Sequence, residues 1–196
     1  GDNNTAMGVS ALYTNNADNN TAFGRSALSA NTTGTRNVAV GTYSLDANTT
    51  ANDNTAVGYN AATAITTGVS NTAIGATALG TLTTGSRNAA LGYMALQLQT
   101  GASDNVGIGN FAGGAVTTGD YNTLVGSLAG DGITTASSLT AFGYRALSAP
   151  SCTGANNTAV GTDALLSNTT GSENVAVGTA ALDANTTGVS NVAVGR

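Results

Sequence analysis

Ten carboxylates and one thiol are the side chains of this sequence that could do chemistry. The chain has no His, its five cations are all Arg, and Cys152 is its single cysteine. Imidazole bases and ligands, Lys nucleophiles, and Ser-His-Asp or Cys-His pairs are therefore ruled out. Sugar cleavage by two carboxylates remains, but it needs them about 5 to 9 Å apart. No acidic pair is clustered, so we expect no enzymatic activity, no cofactor and no catalytic residue.

Composition excludes several other classes. The 196 residues carry a net charge of −5, and 41% are hydrophobic while only 8% are charged. A nucleic-acid groove needs a basic stripe, so no nucleic-acid partner is expected. Disordered chains are poorer in aliphatic residues, and no apolar run approaches the roughly 18 residues of a membrane span. We expect a folded chain that does not insert into membranes.

An internal repeat organises the whole chain. The pentad Asn-Thr/Val-Ala-apolar-Gly recurs twelve times, and its glycines are 16, 17 or 18 residues apart. Counting the Asn as position 1, the consensus is N-T-A-V-G-x-x-A-L-x-x-N-T-T-G-x-x. No linker or change of composition interrupts it, which predicts one continuous repeat domain over residues 1–196. Because the chain opens on Gly rather than Met, we expect a segment of, or one processed from, a longer fibre.

Two repeat positions predict specific backbone roles. Asn at position 1 predicts a ladder of side-chain amides between successive coils, and Gly at position 5 predicts a backbone conformation or an approach that excludes side chains. The ladder consists of Asn20, Asn37, Asn54, Asn71, Asn88, Asn105, Asn122, Asn157 and Asn174, with Leu139 as the exception. The repeat glycines include Gly24, Gly41, Gly58, Gly75, Gly92, Gly109, Gly126, Gly143, Gly161 and Gly178.

The repeat predicts an all-β, parallel β-solenoid of about 11–12 coils. Gly, Asn, Thr and Val at fixed places disfavour helix, so we predict two short strands and two turns per coil. The strand residues at positions 3 and 4 are both apolar, and they point to opposite faces. We expect Val, Leu and Ala inside and the second apolar face, the Ala row with its Gly neighbours, exposed, where it would pack against other copies. A homotrimer around the long axis is the preferred assembly.

The repeats resemble those of bacteriophage tail-fibre shafts and related tail-fibre-domain proteins. The resemblance rests on N-T-A-V-G-Y-N-A-A…T-T-G at 54–68 and N-T-A-V-G-T-D-A-L-L-S-N-T-T-G at 157–171, and it covers essentially the whole chain. The heads of trimeric autotransporter adhesins are more distantly similar. The resemblance implies a left-handed β-roll, three chains side by side, and a role in adhesion or as a spacer, on a virion or bacterial cell surface.

Position 17 predicts ion pairs between coils. Arg36 precedes Asp53 by one coil, and Arg87 precedes Asp104 in the same way. Exposed pairs of this kind contribute only about 0–1 kcal/mol, so we expect them to fix the register between coils. Arg25 and Arg145 have no such partner in the pattern.

Other side chains suggest surface roles, each with a plainer alternative. Tyr59, Tyr93 and Tyr144 at position 6, beside Tyr43 and Phe111 at position 7, could stack on sugars, although packing against a neighbouring turn is the favoured interpretation. Calcium at Asn52–Asn54 is a weak hypothesis, and no metal site is expected. Cys152 could cross-link chains, but we favour a tolerated thiol. At position 12 the central coils carry Ile65, Leu82, Val116 and Ile133 in place of Asn.

The sequence favours a non-enzymatic structural or adhesive fibre segment, extracellular, whose main partner is itself. A host receptor or glycan is a further possible partner. An ice-binding solenoid is the alternative, because Thr-Thr pairs such as Thr32–Thr33 and Thr66–Thr67 recur in the turns. A subunit that stacks end to end into a filament is a third hypothesis.

Overall fold

A computed structural model describes residues 1–196 and shows a parallel β-solenoid of 17-residue coils. Each coil contributes one three-residue strand to a single sheet of twelve parallel strands, in chain order. There is no helix, and therefore none that could cross a membrane. The strands β1–β12 are Thr5–Met7, Thr21–Phe23, Val38–Val40, Thr55–Val57, Thr72–Ile74, Ala89–Leu91, Val106–Ile108, Thr123–Val125, Thr140–Phe142, Thr158–Val160, Val175–Val177 and Val192–Val194.

The coils stack in strict register. Equivalent positions pair across every strand boundary, as where Ala56 lies opposite Ala73. The register is kept where the spacing changes to 18 residues, since Ala141 pairs with Ala159. Strands in a sheet lie about 4.8 Å apart, so twelve coils form a rod about 55 Å long.

The prediction of a second strand in each coil is wrong. Residues at positions 7 and 9 adopt left-handed backbone angles, as at Thr77 (φ 56°) and Leu79 (φ 51°). An extended strand cannot contain such residues, so the Ala-Leu segment forms a series of turns. These turns still bond to the next coil: the Leu79 N–H donates to the Ala95 carbonyl at 3.1 Å.

The predicted orientation of the strand is also wrong, because the Ala row lies inside and the larger apolar row lies outside. In β5, Ala73 is fully buried, whereas Ile74 is 40% exposed. A position-9 Leu leaves little room at position 3, since at Gly107 an added Cβ would lie 2.6 Å from Leu96 Cγ. Leu at position 9 fills the interior, and small residues at positions 3 and 8 leave room for it. The Ala–Gly face therefore cannot be an interchain seam.

Two neighbouring coils exchange large and small residues between positions. Leu124 replaces the usual Ala at position 3, and Gly113 and Gly130 replace the usual Leu at position 9. A Cβ on Gly113 would lie 2.6 Å from Leu124 Cδ1, and one on Gly130 would lie 2.8 Å from Leu124 Cδ2. Leu124 thus fills, from the sheet side, the space that a position-9 Leu fills elsewhere.

Candidate functional site

The predicted Asn ladder is present and has two kinds of hydrogen bond. The Asn71 N–H donates to Asn54 Oδ1 at 2.9 Å, and the Asn88 N–H donates to Asn71 Oδ1 at 3.0 Å. Each amide also closes its own coil, since Asn71 Nδ2 donates to the Gly85 carbonyl at 2.9 Å. Its position-1 members from Asn20 to Asn174, apart from Leu139, are buried. Asn is the residue that can both accept from the next coil and donate to the turn of its own coil.

The ladder is interrupted once, at Leu139. The Leu139 N–H still donates to Asn122 Oδ1 at 3.1 Å, but its side chain accepts nothing from the following coil. Leu139 is instead 1% exposed and joins the apolar core. Asn157 resumes the pattern by donating Nδ2 to the Gly171 carbonyl at 2.8 Å.

Replacing Asn71 by Ala is expected to lower the free energy of unfolding by about 3 kcal/mol. The substitution leaves the Asn88 N–H and the Gly85 carbonyl buried without partners, and each unpaired group costs about 1–3 kcal/mol. Urea unfolding followed by circular dichroism measures the change. Asn110→Ala is the matched control, because Asn110 is an exposed Asn at position 6. Equal stability of the two variants would contradict a contribution of the Asn ladder to the free energy of unfolding.

The position-5 glycines lie where successive coils come closest. Their φ angles are between 128° and 139°, a region that other residues rarely adopt. A Cβ on Gly92 would lie 2.3 Å from the carbonyl oxygen of Gly109 in the next coil. Both the conformation and the approach therefore exclude a side chain, as the invariance of this position predicted.

Both predicted ion pairs form, and the structure adds a third. Arg36 Nε lies 2.6 Å from Asp53 Oδ1, and Arg87 Nε lies 2.7 Å from Asp104 Oδ1. The hydrogen bond from each guanidinium lowers the pKa of its Asp. These pairs join adjacent coils at the surface, where they specify register more than they add stability.

The expectation that Arg145 has no partner is wrong. Arg145 Nε lies 2.8 Å from Asp163 Oδ1, both at position 7 of neighbouring coils, and this contact lowers the pKa of Asp163. A search at a separation of 17 residues misses this pair, because the two residues are 18 apart. Numbering each coil from its own pentad places both residues at position 7 and predicts the pair. Arg25 packs against Tyr43, with its guanidinium carbon 5.4 Å from the ring centroid.

The side-chain oxygens of Asn52, Asp53 and Asn54, the candidate calcium ligands, already accept hydrogen bonds from other residues. Asn52 Oδ1 accepts the Thr35 N–H at 2.7 Å, Asp53 holds Arg36, and Asn54 belongs to the ladder. No group of three or more His, Cys, Asp or Glu side chains converges. The structure also contains no cavity of ligand size. Asp131, at position 10, is partly buried, and its pKa is raised by desolvation.

The position-12 column changes from polar to apolar in the central coils. Ile65, Leu82, Val116 and Ile133 are fully buried, as is Cys152, which pairs with Ile133 through a β-bridge. Burial raises the pKa of the Cys152 thiol. This position rules out an interchain cross-link through Cys152.

Gln99 is a polar residue within this apolar column. It is fully buried, and neither its Nε2 nor its Oε1 has a hydrogen-bond partner. The position-12 amides of the outer coils are bonded, as where Asn48 Nδ2 donates to the Ala51 carbonyl at 3.2 Å. Gln99 is therefore a weak point of the core.

Gln99→Leu is expected to raise the free energy of unfolding by about 1–2 kcal/mol. The change removes an unpaired buried amide, whose cost is about 1–3 kcal/mol, and continues the column between Leu82 and Val116. Asn48→Leu is the matched control and is expected to destabilise, since it removes a bonded amide. Thermal unfolding of both variants tests the contrast, and a destabilised Gln99→Leu would show that the amide has a partner.

The paired threonines of the turns have different environments. The first Thr of a pair donates its hydroxyl to the next coil, as where Thr32 Oγ1 donates to the Thr49 carbonyl at 2.9 Å. The second Thr is exposed throughout, and this column consists of Thr33, Thr50, Thr67, Thr84, Thr118, Thr135, Thr170 and Thr187. Gly101 and the Thr153–Gly154 step interrupt it.

The outer face of the sheet is an uncharged surface that runs along the whole rod. It consists of the side chains at positions 2 and 4 of all twelve coils, and none of these is charged. The position-2 row is Thr, Val or Ala, half-buried or exposed. The position-4 row includes Phe23, Ile74, Leu91 and Ile108, which are 38–40% exposed.

No family model, curated protein or solved structure matches this chain. The fold and its regular surfaces therefore carry the functional inference.

Proposed function

We propose that this chain is a non-enzymatic, rigid segment of an extracellular surface fibre, formed by copies that associate side by side. The observation that carries the proposal is the outer face of the sheet, an uncharged strip along the whole rod. Contiguous exposed apolar patches of this extent are typical of protein interfaces. All fifteen Arg, Asp and Glu side chains lie at other repeat positions.

The size of the strip is close to that of a stable interface. It is about 55 Å long and about 12 Å wide, from strand spacing and rise, and therefore presents roughly 650 Å². Specific interfaces bury about 800 Å² on each partner. A second copy of the chain matches the strip in length and in its 4.8 Å spacing. Three copies around one axis would cover all three strips and leave the charged edges in solvent, so a trimer is the preferred assembly.

A charge placed on the strip tests this proposal. Leu91 lies on the strip and is 38% exposed, so Leu91→Arg is expected to reduce the solution mass without changing the circular dichroism spectrum. Leu98→Arg is the matched control, because Leu98 is 45% exposed at position 11, away from the strip. Light scattering measures the mass of each variant. An unchanged mass for Leu91→Arg would overturn side-by-side association through this face.

Ice binding is the second candidate, and the exposed column of second threonines supports it. Regularly spaced Thr side chains on a rigid solenoid can order water on a lattice. Thermal hysteresis of the purified chain tests this candidate, with Thr67→Asn and Thr84→Asn as variants that should reduce the effect. Freezing-point behaviour equal to that of a matched globular protein would exclude it.

A further inference from the structure

One edge of the rod, formed by positions 6 and 7 of successive coils, collects most of the aromatic side chains. Five of the nine Tyr and Phe residues lie there, and we call this surface the aromatic edge. Its rings belong to coils spread over about 29 Å of the rod. They are Tyr43, Tyr59, Tyr93, Phe111 and Tyr144.

The rings of the aromatic edge are only partly covered by the rod. Tyr59, Tyr93 and Tyr144 are 56%, 47% and 48% exposed, although each is a large side chain beside a tight turn. Tyr93 meets Phe111 edge to face, with centroids 5.5 Å apart. The expectation that these rings pack away against neighbouring turns therefore accounts for only part of their surface.

The aromatic edge is also the basic part of an acidic protein. It carries Arg25, Arg145 and Arg196 and a single acidic residue, Asp163, whereas the whole chain has a net charge of −5. Arg145 is paired with Asp163 at 2.8 Å, so Arg25 is the unpaired guanidinium among the rings. Two of these arginines lie over rings: Arg25 over Tyr43 at 5.4 Å and Arg145 over Tyr144 at 5.3 Å. Arg25 has no carboxylate partner. Hydroxyl and amide side chains, among them Thr42, Asn60 and Asn110, alternate with the rings.

We propose that the aromatic edge binds an acidic polysaccharide along the axis of the rod. Pyranose rings stack on Tyr faces, while the Tyr hydroxyls and the interleaved polar groups meet sugar hydroxyls. A sugar carboxylate pairs with Arg25, whose planar guanidinium group matches it. One coil advances about 4.8 Å, close to the length of one pyranose along an extended chain. This inference deepens the adhesive part of the proposed function and rests on it.

Polygalacturonate and neutral dextran of matched length are suitable probes. We expect polygalacturonate to bind the full chain and dextran to bind at least tenfold more weakly. Tyr93→Ala is expected to lower the affinity about fivefold, which corresponds to about 1 kcal/mol, and Tyr93→Phe to retain it. Arg25→Gln is expected to lower it similarly, and binding should weaken as salt rises.

Two variants outside the aromatic edge are the controls. Tyr121→Ala removes a Tyr that is 65% exposed at position 17, and Arg36→Gln removes an Arg from the same edge as Tyr121. Both should bind like the wild type. Equal binding of dextran, no binding of polygalacturonate, or an equal loss in Tyr121→Ala would each overturn the inference. The solution mass, measured on the same samples, shows separately whether side-by-side association holds.

Discussion

Gly92→Ala is expected to lower the free energy of unfolding by about 4 kcal/mol or more. Gly92 has φ 139°, and its added Cβ would lie 2.3 Å from the Gly109 carbonyl oxygen and 2.6 Å from its carbon. The colliding atoms belong to backbone, which cannot move without breaking the stack. Strained backbone alone costs about 1–3 kcal/mol, and the forced separation of two coils adds to it.

Two other glycines separate these contributions. Gly101 has a φ outside the left-handed region, and an added Cβ would make an ordinary contact with Thr84 Oγ1 at 3.4 Å, so Gly101→Ala should be close to neutral. Gly195 has φ 130° but nothing within 4 Å, so Gly195→Ala should show the conformational cost alone. Urea unfolding of the three variants measures the series. A Gly92→Ala protein as stable as Gly101→Ala would mean that the coils do not stack at this distance.

Leu124→Ala is expected to lower the free energy of unfolding by about 4 kcal/mol. Large-to-small changes of this kind cost about 2–5 kcal/mol, and the upper part applies here because Gly113 and Gly130 cannot fill the cavity. Gly130→Leu alone is expected to destabilise by about 1–3 kcal/mol through overpacking. Its added Cβ already lies 2.7 Å from Ile133 Cδ1.

The double variant Leu124→Ala/Gly130→Leu restores the consensus arrangement of that coil. It is therefore expected to be more stable than the sum of the single changes predicts, by about 2 kcal/mol. Position 9 accepts Leu at left-handed angles elsewhere, as at Leu96 (φ 50°), so backbone strain does not forbid the exchange. Strict additivity in the cycle would contradict the proposed exchange of volume between positions 3 and 9.

The sequence was sufficient to predict the period, the stacking and the groups that link coils. A 17-residue spacing makes equivalent residues neighbours in a parallel stack, so the Asn ladder and the Arg36–Asp53 pair follow from counting alone. Gly92 and its equivalents were expected to exclude side chains for the same reason. These features depend only on which residues share a repeat position, and the repeat makes that assignment directly readable from the sequence.

Which face of the strand points into the core was harder to predict, because both faces are apolar. Ala73 and Ile74 differ in size rather than polarity, and the narrow coil places the smaller one inside. Thr77 and Leu79 have left-handed backbone angles, so turns lie where the second strand was expected. Thr and Leu rarely adopt such angles, so the sequence did not indicate these turns. Gln99 is also buried although its side chain is polar, because position 12 points into the core in every central coil. Its amide is left without hydrogen-bond partners there.

The solution mass at several dilutions tests the central claim of side-by-side association most directly. Sedimentation equilibrium is expected to give three times 18.9 kDa at every concentration. A stable 18.9 kDa monomer at high concentration would contradict the claim and leave the apolar strip of the sheet unexplained. A mass that rises without limit would contradict a closed assembly and favour filament growth.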